Sequence, residues 1–105
     1  MVKPKGTIGS TKMKIIAVIH HNCSNNMDTH GYTIWQTLKT SFHVYLDDND
    51  VRNVYHHLKG LCKLGYLEKR DPDIRVRCCY NITEKGMLLA DRYEPYLRVL
   101  DRLSL

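Results

Sequence analysis

The sequence predicts a mainly helical domain with one small β-hairpin. Three segments carry enough apolar residues, at helical spacing, to pack as helices. A strict alternation of apolar and polar residues between Ile74 and Ile82 then predicts a β-strand. The chain has 105 residues, of which 43% are apolar and 26% charged, so it can build one domain with a modest core.

The first helix is predicted to begin near Ser10 or Thr11, either of which can cap it, and to run to about His21. Apolar residues between Met13 and Ile19 cover most of its circumference, so we expect it at the centre of the core. Residues 1–9 contain lysine, proline and glycine but almost nothing to bury, which predicts a flexible basic arm. Segment 21–31 is rich in Asn, Ser and Asp and predicts a loop.

The second helix is predicted from about Tyr32 to Phe42, and the third extends to about Leu64, where Gly65 ends it. The acidic segment 47–50 precedes the third helix, where carboxylates favour the positive end of the helix dipole. The residues that the third helix is expected to bury are Val51, Val54, Tyr55, Leu58, Leu61 and Cys62.

The hairpin is predicted to consist of a strand at 66–70, a turn at 71–73 and a strand at 74–82. Thr83 is expected to cap a final helix. The second strand should present Ile74, Val76, Cys78, Tyr80 and Ile82 on one face and Arg75, Arg77, Cys79 and Asn81 on the other.

Three helices, a two-stranded hairpin and a further helix follow the order of a winged helix-turn-helix with a C-terminal dimerisation helix. We therefore expect a winged-helix DNA-binding domain at 10–83 and a helical dimerisation segment at 84–105. A formal net charge of +5 favours an anionic partner. The residues expected to contact double-stranded DNA are Asn49, Arg52, Asn53, His56, Lys59 and Lys63 on the third helix, and Lys69, Arg70, Arg75 and Arg77 on the hairpin.

Three segments also resemble PadR-type winged-helix transcriptional regulators: "HGYTIWQTLKT", "VRNVYHHLKGLCKLGYLEKR" and "YNITEKGMLLADR". The resemblance spans about residues 13–92 and implies a dimeric DNA-binding repressor or activator, with Tyr55 in contact with a phosphate. The chain departs from the family at Asp47, Asp48 and Asp50, where that family has Ser, Gly or Thr. Carboxylates there would repel DNA phosphates.

The C-terminal segment carries an apolar stripe with the spacing of a helical seam, which predicts a homodimer. The alternative is that the stripe folds back onto its own domain. Pro95 predicts a kink or break near Glu94, because proline inside a helix removes a hydrogen bond. The residues expected at the dimer interface are Leu89, Tyr93, Tyr96, Leu97, Leu100 and Leu103.

Two clusters suggest other chemistry. His20, His21, Cys23 and His30 are possible metal ligands, but their spacing matches no standard site, so no metal is predicted. Cys79 would share a strand face with two arginines, which could lower its thiol pKa and make it redox-active. The other interpretation is a bystander thiol.

No phosphate-binding loop, nucleophile elbow or convincing acid–base pair is present, so we do not expect an enzyme, and no cofactor is predicted. No apolar run is long enough to span a membrane, and the cysteine usage suggests a cytoplasmic protein without a membrane partner. The sequence thus predicts a sequence-specific, homodimeric transcriptional regulator, most simply a repressor. No small-molecule effector can be identified. The alternative is a winged-helix protein-interaction module that does not bind DNA directly.

Overall fold

The computed structural model describes residues 10–25, 27, 29–43, 47–69 and 80–103, with the side chains of Asp48 and Leu103 excepted. Across these ranges the chain is mainly helical with a small antiparallel hairpin, which confirms the predicted composition of elements. The helices are α1 (Ser10–Ser24), α2 (Gly31–Phe42), α3 (Val51–Lys63), α4 (Glu84–Met87) and α5 (Ala90–Leu103); a 3-10 turn (Asp48–Asp50) precedes α3, and the strands are β1 (Leu67–Lys69) and β2 (Tyr80–Ile82).

Helix α1 lies at the centre of the core, as its apolar circumference predicts. Its residues 15–19 are completely buried. Helices α2, α3 and α5 and strand β2 all pack against it. None of the helices in the described ranges is long and apolar enough to cross a membrane.

The loop predicted to begin at His21 is wrong at its start, because α1 continues to Ser24. Asn22 is buried, and its carbonyl accepts a hydrogen bond from the Met27 N–H at 2.7 Å. The Asn25 side chain donates to the His21 carbonyl at 2.7 Å and so satisfies one of the last carbonyls of the helix. Tertiary packing and this side-chain cap therefore outweigh the loop-forming composition of the segment.

The end of α3 agrees with the prediction. Gly65 has a φ of 85°, a left-handed conformation that glycine adopts without steric cost. The Tyr66 N–H donates to the Leu61 carbonyl at 3.0 Å, and the Gly65 N–H donates to the Cys62 carbonyl at 3.0 Å. These two bonds form a Schellman motif, which ends the helix and turns the chain into β1.

The hairpin pairs Leu67 with Ile82 and Lys69 with Tyr80. The side chains of Tyr80 and Ile82 are buried, whereas Asn81 between them is half-buried, as the alternation predicts. On the other edge of β2, the Thr29 hydroxyl donates to the Tyr80 carbonyl and accepts from the Tyr80 N–H, both at 3.0 Å. Residues 70–79, the remainder of both predicted strands, lie outside the described residues, as does the predicted basic arm 1–9.

Thr83 caps the next helix as predicted, because its hydroxyl accepts a hydrogen bond from the Gly86 N–H at 3.1 Å. Of the predicted kink or break near Glu94, the break is wrong, and the kink stays a prediction. The helix is interrupted at Leu88 and Leu89 instead, and Pro95 lies inside a continuous α5. Pro95 is exposed, so its ring takes no space from the core, although it cannot donate a backbone hydrogen bond within the helix.

The C-terminal stripe is largely covered by the chain's own core. Helix α5 packs against α1 and α2, and Tyr93 and Leu100 retain only 4% and 3% of their exposure. The premise that these two residues need a partner helix is therefore wrong for this fold. Leu89, Tyr96 and Leu97 are half-buried, and the side chain of Leu103 is outside the described residues.

Candidate nucleic-acid interface

Helix α3 presents a polar and basic face to solvent. Four of its predicted contact residues, at 52, 56, 59 and 63, are spaced by three or four positions and therefore lie along one side of the helix. Each of these side chains is exposed, whereas Val54, Leu58 and Leu61 on the opposite side are buried. The exposed residues of this basic face are Arg52, Asn53, Tyr55, His56, Lys59 and Lys63 on α3, together with Asn49 in the 3-10 turn before it.

The acidic segment before α3 is engaged in capping. The Asn49 N–H donates to the Asp47 carboxylate at 3.0 Å, and the Asp47 N–H donates to the Asp50 carboxylate at 3.2 Å. This reciprocal arrangement is a capping box, which satisfies backbone donors that the helix start would otherwise leave unpaired. Asp50 also accepts from the Asn53 side-chain amide at 3.1 Å. The departure from the resembled family therefore has a structural role at this helix start.

The prediction that α3 buries Tyr55 is wrong, since 48% of the side chain is exposed. Its ring lies directly on Gly31 at the start of α2, so closely that a Cβ at position 31 would overlap the ring atoms Cε1 and Cζ. Two of the segments that carry the family resemblance meet at this contact. The sequence contained the signal for it, a glycine at the predicted start of the second helix, but not the packing of α2 against α3.

The chain that leaves β2 is anchored to the turn at the end of α3 by three polar contacts. The Thr83 hydroxyl donates to the Gly65 carbonyl, and the Thr83 N–H donates to the Tyr66 carbonyl at 3.1 Å. The Lys85 ammonium donates to the Leu64 carbonyl at 2.8 Å. These bonds hold β2 beside the C-terminal end of the basic face, so the geometry between helix and hairpin is defined at the hairpin's base.

At the tip of the described hairpin, Lys69 is exposed, and its Nζ lies 6.0 Å from the centroid of the Tyr80 ring. The remaining predicted contacts of the hairpin, Arg70, Arg75 and Arg77, and the possible redox residue Cys79 lie outside the described residues.

The possible metal ligands take part in separate contacts. His20 makes an edge contact with the Tyr93 ring, with the ring centroids 5.8 Å apart. His21 Nδ1 lies 3.0 Å from the Asp101 carboxylate, and the Cys23 thiol donates to the Tyr80 carbonyl at 3.6 Å. Among the described residues, no group of three His, Cys, Asp or Glu side chains comes together to hold a metal ion.

His57 gives the fold an acid sensitivity that can be measured. Burial lowers the pKa of its imidazole, and the nearby charges of Lys12 and His56 lower it further. The folded state therefore favours neutral His57, and below the unfolded-state pKa of about 6.5 the unfolded chain binds more protons. We expect the free energy of unfolding to fall as the pH is lowered from 7.5 to 5.5.

Urea denaturation at both pH values measures this dependence. The His57→Gln variant should lose part of it, because glutamine does not titrate. His43→Asn is the matched control, since His43 is exposed and asparagine tolerates its φ of 54°. An unchanged pH dependence in His57→Gln would show that another group is responsible.

No protein-family model, curated protein or solved structure matches the chain. The resemblance to PadR-type regulators therefore stays a prediction.

Proposed function

We propose that this protein is a winged helix-turn-helix transcriptional regulator that binds double-stranded DNA, with α3 in the major groove and the hairpin on the flanking backbone. The observation that supports this most directly is the basic face of α3. Arg52, His56, Lys59 and Lys63 are exposed on one side of a 13-residue helix, and the hairpin is anchored at the end of that helix. An α-helix of this kind fits the major groove, and a hairpin beside it can reach the backbone.

The residue types divide into two roles. Lys59 and Lys63 are ammonium groups suited to phosphates, whereas Arg52 and Asn53 can pair with base edges. The Asn53 amide donates one hydrogen to Asp50, which orients the side chain and leaves its second N–H and its carbonyl oxygen for a base. The capping box lets Asp47 and Asp50 stabilise the start of α3 that would enter the groove.

The proposed active species is a homodimer, because two copies related by a two-fold axis can read two half-sites and bind more tightly than one. With Tyr93 and Leu100 in the core, the surface left for a partner includes Leu88, which is 83% exposed, and the half-buried Leu89 and Leu97. Bound across a promoter, such a dimer would repress transcription by excluding other proteins from the site.

One observation favours the rival function, a protein-interaction module. Leu64, Met87 and Leu88 are large apolar side chains that are each about half or more exposed. Exposed apolar side chains of this kind are a feature of protein-binding surfaces. The two functions predict different effects of salt on duplex affinity. A DNA-binding protein loses affinity as salt rises, because its phosphate contacts release the counterions that DNA carries, whereas a protein-interaction module should show no such duplex binding.

The experiment is fluorescence anisotropy of a labelled duplex at several salt concentrations, with the double variant Lys59→Gln, Lys63→Gln. We expect the slope of log affinity against log salt to become shallower by about 2 in the variant, since each phosphate contact contributes roughly one unit. The double variant Arg98→Gln, Arg102→Gln removes the same charge from exposed positions on α5 and should leave the slope nearly unchanged. If the slope becomes shallower by the same amount in both double variants, a role for the basic face in DNA binding is contradicted.

A further inference from the structure

A pocket of about 400 Å³ lies between α3 and the hairpin. Its size is within the range of about 300–1,000 Å³ that small-molecule sites occupy. The described residues that line it are Tyr55, Lys59 and Cys62 from α3, and Lys69 and Tyr80 from the two strands. Neither the proposed major-groove contacts nor the core requires a cavity at this place.

The walls of the pocket combine aromatic surface with positive charge. Tyr55 and Tyr80 contribute rings, and Lys59 and Lys69 contribute ammonium groups. Neither lysine forms an ion pair with a carboxylate among the described residues. Burial raises the pKa of the Cys62 thiol, and the charge of Lys69 offsets this only in part, so the thiol is neutral at pH 7. The five lining residues therefore hold two positive charges and no negative one.

We propose that this pocket binds a free mononucleotide, a flat heterocyclic ring that carries a phosphate dianion. Two ammonium groups match the charge of a phosphate dianion better than that of a single carboxylate. The exposed ring of Tyr55 offers a surface on which a base can stack, an interaction that tolerates every base because each has a π-face. The phosphate binds between Lys59 and Lys69, and the ring of the base lies against Tyr55.

The ligand acts as a competitor of DNA, a consequence that rests on the proposed function. Lys59 and Lys69 are also assigned to DNA phosphates, and Tyr55 borders both sites. A phosphate bound in the pocket neutralises these charges and blocks the approach of the backbone. By mass action, a mononucleotide at ten times its dissociation constant raises the apparent Kd for the duplex about tenfold.

The first test measures the ligand without DNA. The full chain is titrated with adenosine monophosphate and uridine monophosphate by calorimetry, with adenosine and inorganic phosphate as the two half-ligand controls. We expect both mononucleotides to bind, and each half-ligand to bind at least tenfold more weakly. In parallel, alkylation of Cys62 is followed by peptide mass spectrometry, and a saturating mononucleotide should slow it at least fivefold while leaving Cys23 unchanged.

Two substitutions test the location. Cys62→Phe and Cys62→Met both fill the pocket from α3 and leave every proposed DNA contact in place, so either folded variant should lose mononucleotide affinity at least tenfold and keep its duplex affinity. Unaltered mononucleotide affinity in both variants would overturn the site. The site would also be overturned if neither mononucleotide binds. The same conclusion follows if a single-stranded oligonucleotide protects Cys62 from alkylation and neither mononucleotide does. Mononucleotide binding without any duplex binding would support the pocket as a ligand site and refute the proposed function.

Discussion

Replacing Gly86 with alanine should lower the free energy of unfolding by about 3 kcal/mol, the upper part of the range for overpacking a close contact. A Cβ at this position would overlap the backbone carbonyl oxygen of Tyr66 and approach Ile82 Cγ2 at 2.7 Å. The carbonyl belongs to the backbone that leads into β1, so relief requires α4 to move away from the hairpin. That movement would also strain the Thr83 cap.

The matched control is Gly60→Ala in α3. A Cβ at Gly60 has no neighbour within 4 Å, so alanine there should stabilise the helix by up to about 1 kcal/mol. Chemical denaturation of both variants measures the difference. If Gly86→Ala is no less stable than Gly60→Ala, the close packing of α4 on the hairpin is contradicted.

Replacing Thr29 with valine should cost about 2–3 kcal/mol, because it removes a hydrogen-bond partner from two buried backbone groups at once. The Thr29 hydroxyl satisfies both the N–H and the carbonyl of Tyr80 on the edge of β2 that does not face β1. Valine has nearly the same shape but cannot donate or accept. The Cys23 thiol also donates to that carbonyl, at 3.6 Å, and this weak bond keeps the expected cost below the sum for two fully orphaned groups.

Thr29→Ser is the control, since it keeps the hydroxyl and removes one methyl group, at a cost of about 1 kcal/mol. Hydrogen exchange of the Tyr80 amide provides a second, local measurement. It should accelerate in Thr29→Val much more than in Thr29→Ser. Equal stability and equal exchange in the two variants would show that the hydroxyl does not hold the edge of β2.

Much of the fold could be predicted because its signals are local. The spacing of Val54, Leu58 and Leu61 defines the buried side of α3 whatever packs against it. Gly65 and Thr83 end and begin helices through bonds to residues a few positions away. These features depend on short-range geometry, and the structure agrees with each of them.

The features that the sequence did not predict depend on distant partners. The extension of α1 to Ser24 requires the packing that buries Asn22, and the edge of β2 requires Thr29, which is 51 residues from Tyr80. The tolerance of Pro95 follows from which side of α5 faces solvent. That side was not evident from the spacing of the apolar stripe, which suits a partner helix as well as the chain's own core.

In the candidate interface, too, the local features could be predicted from the sequence and the contacts between elements could not. The exposed side of α3 follows from its periodicity, so its basic residues could be named in advance. The bond from Asn53 to Asp50 and the contact of Tyr55 with Gly31 could not, because the first depends on side-chain rotamers and the second on how α2 and α3 pack. The pocket between α3 and the hairpin combines residues from both, and only the three-dimensional arrangement brings them together.

Selection of bound duplexes from a random DNA pool tests whether α3 reads DNA sequence, with the wild-type chain and Arg52→Ala in parallel. We expect the wild-type protein to enrich a defined sequence. We expect Arg52→Ala still to bind duplexes but to accept other bases at one position, with a loss of discrimination of about 1–3 kcal/mol there. If the wild-type protein enriches no sequence, or if Arg52→Ala selects the same sequence with the same preference, then Arg52 does not read DNA from the major groove.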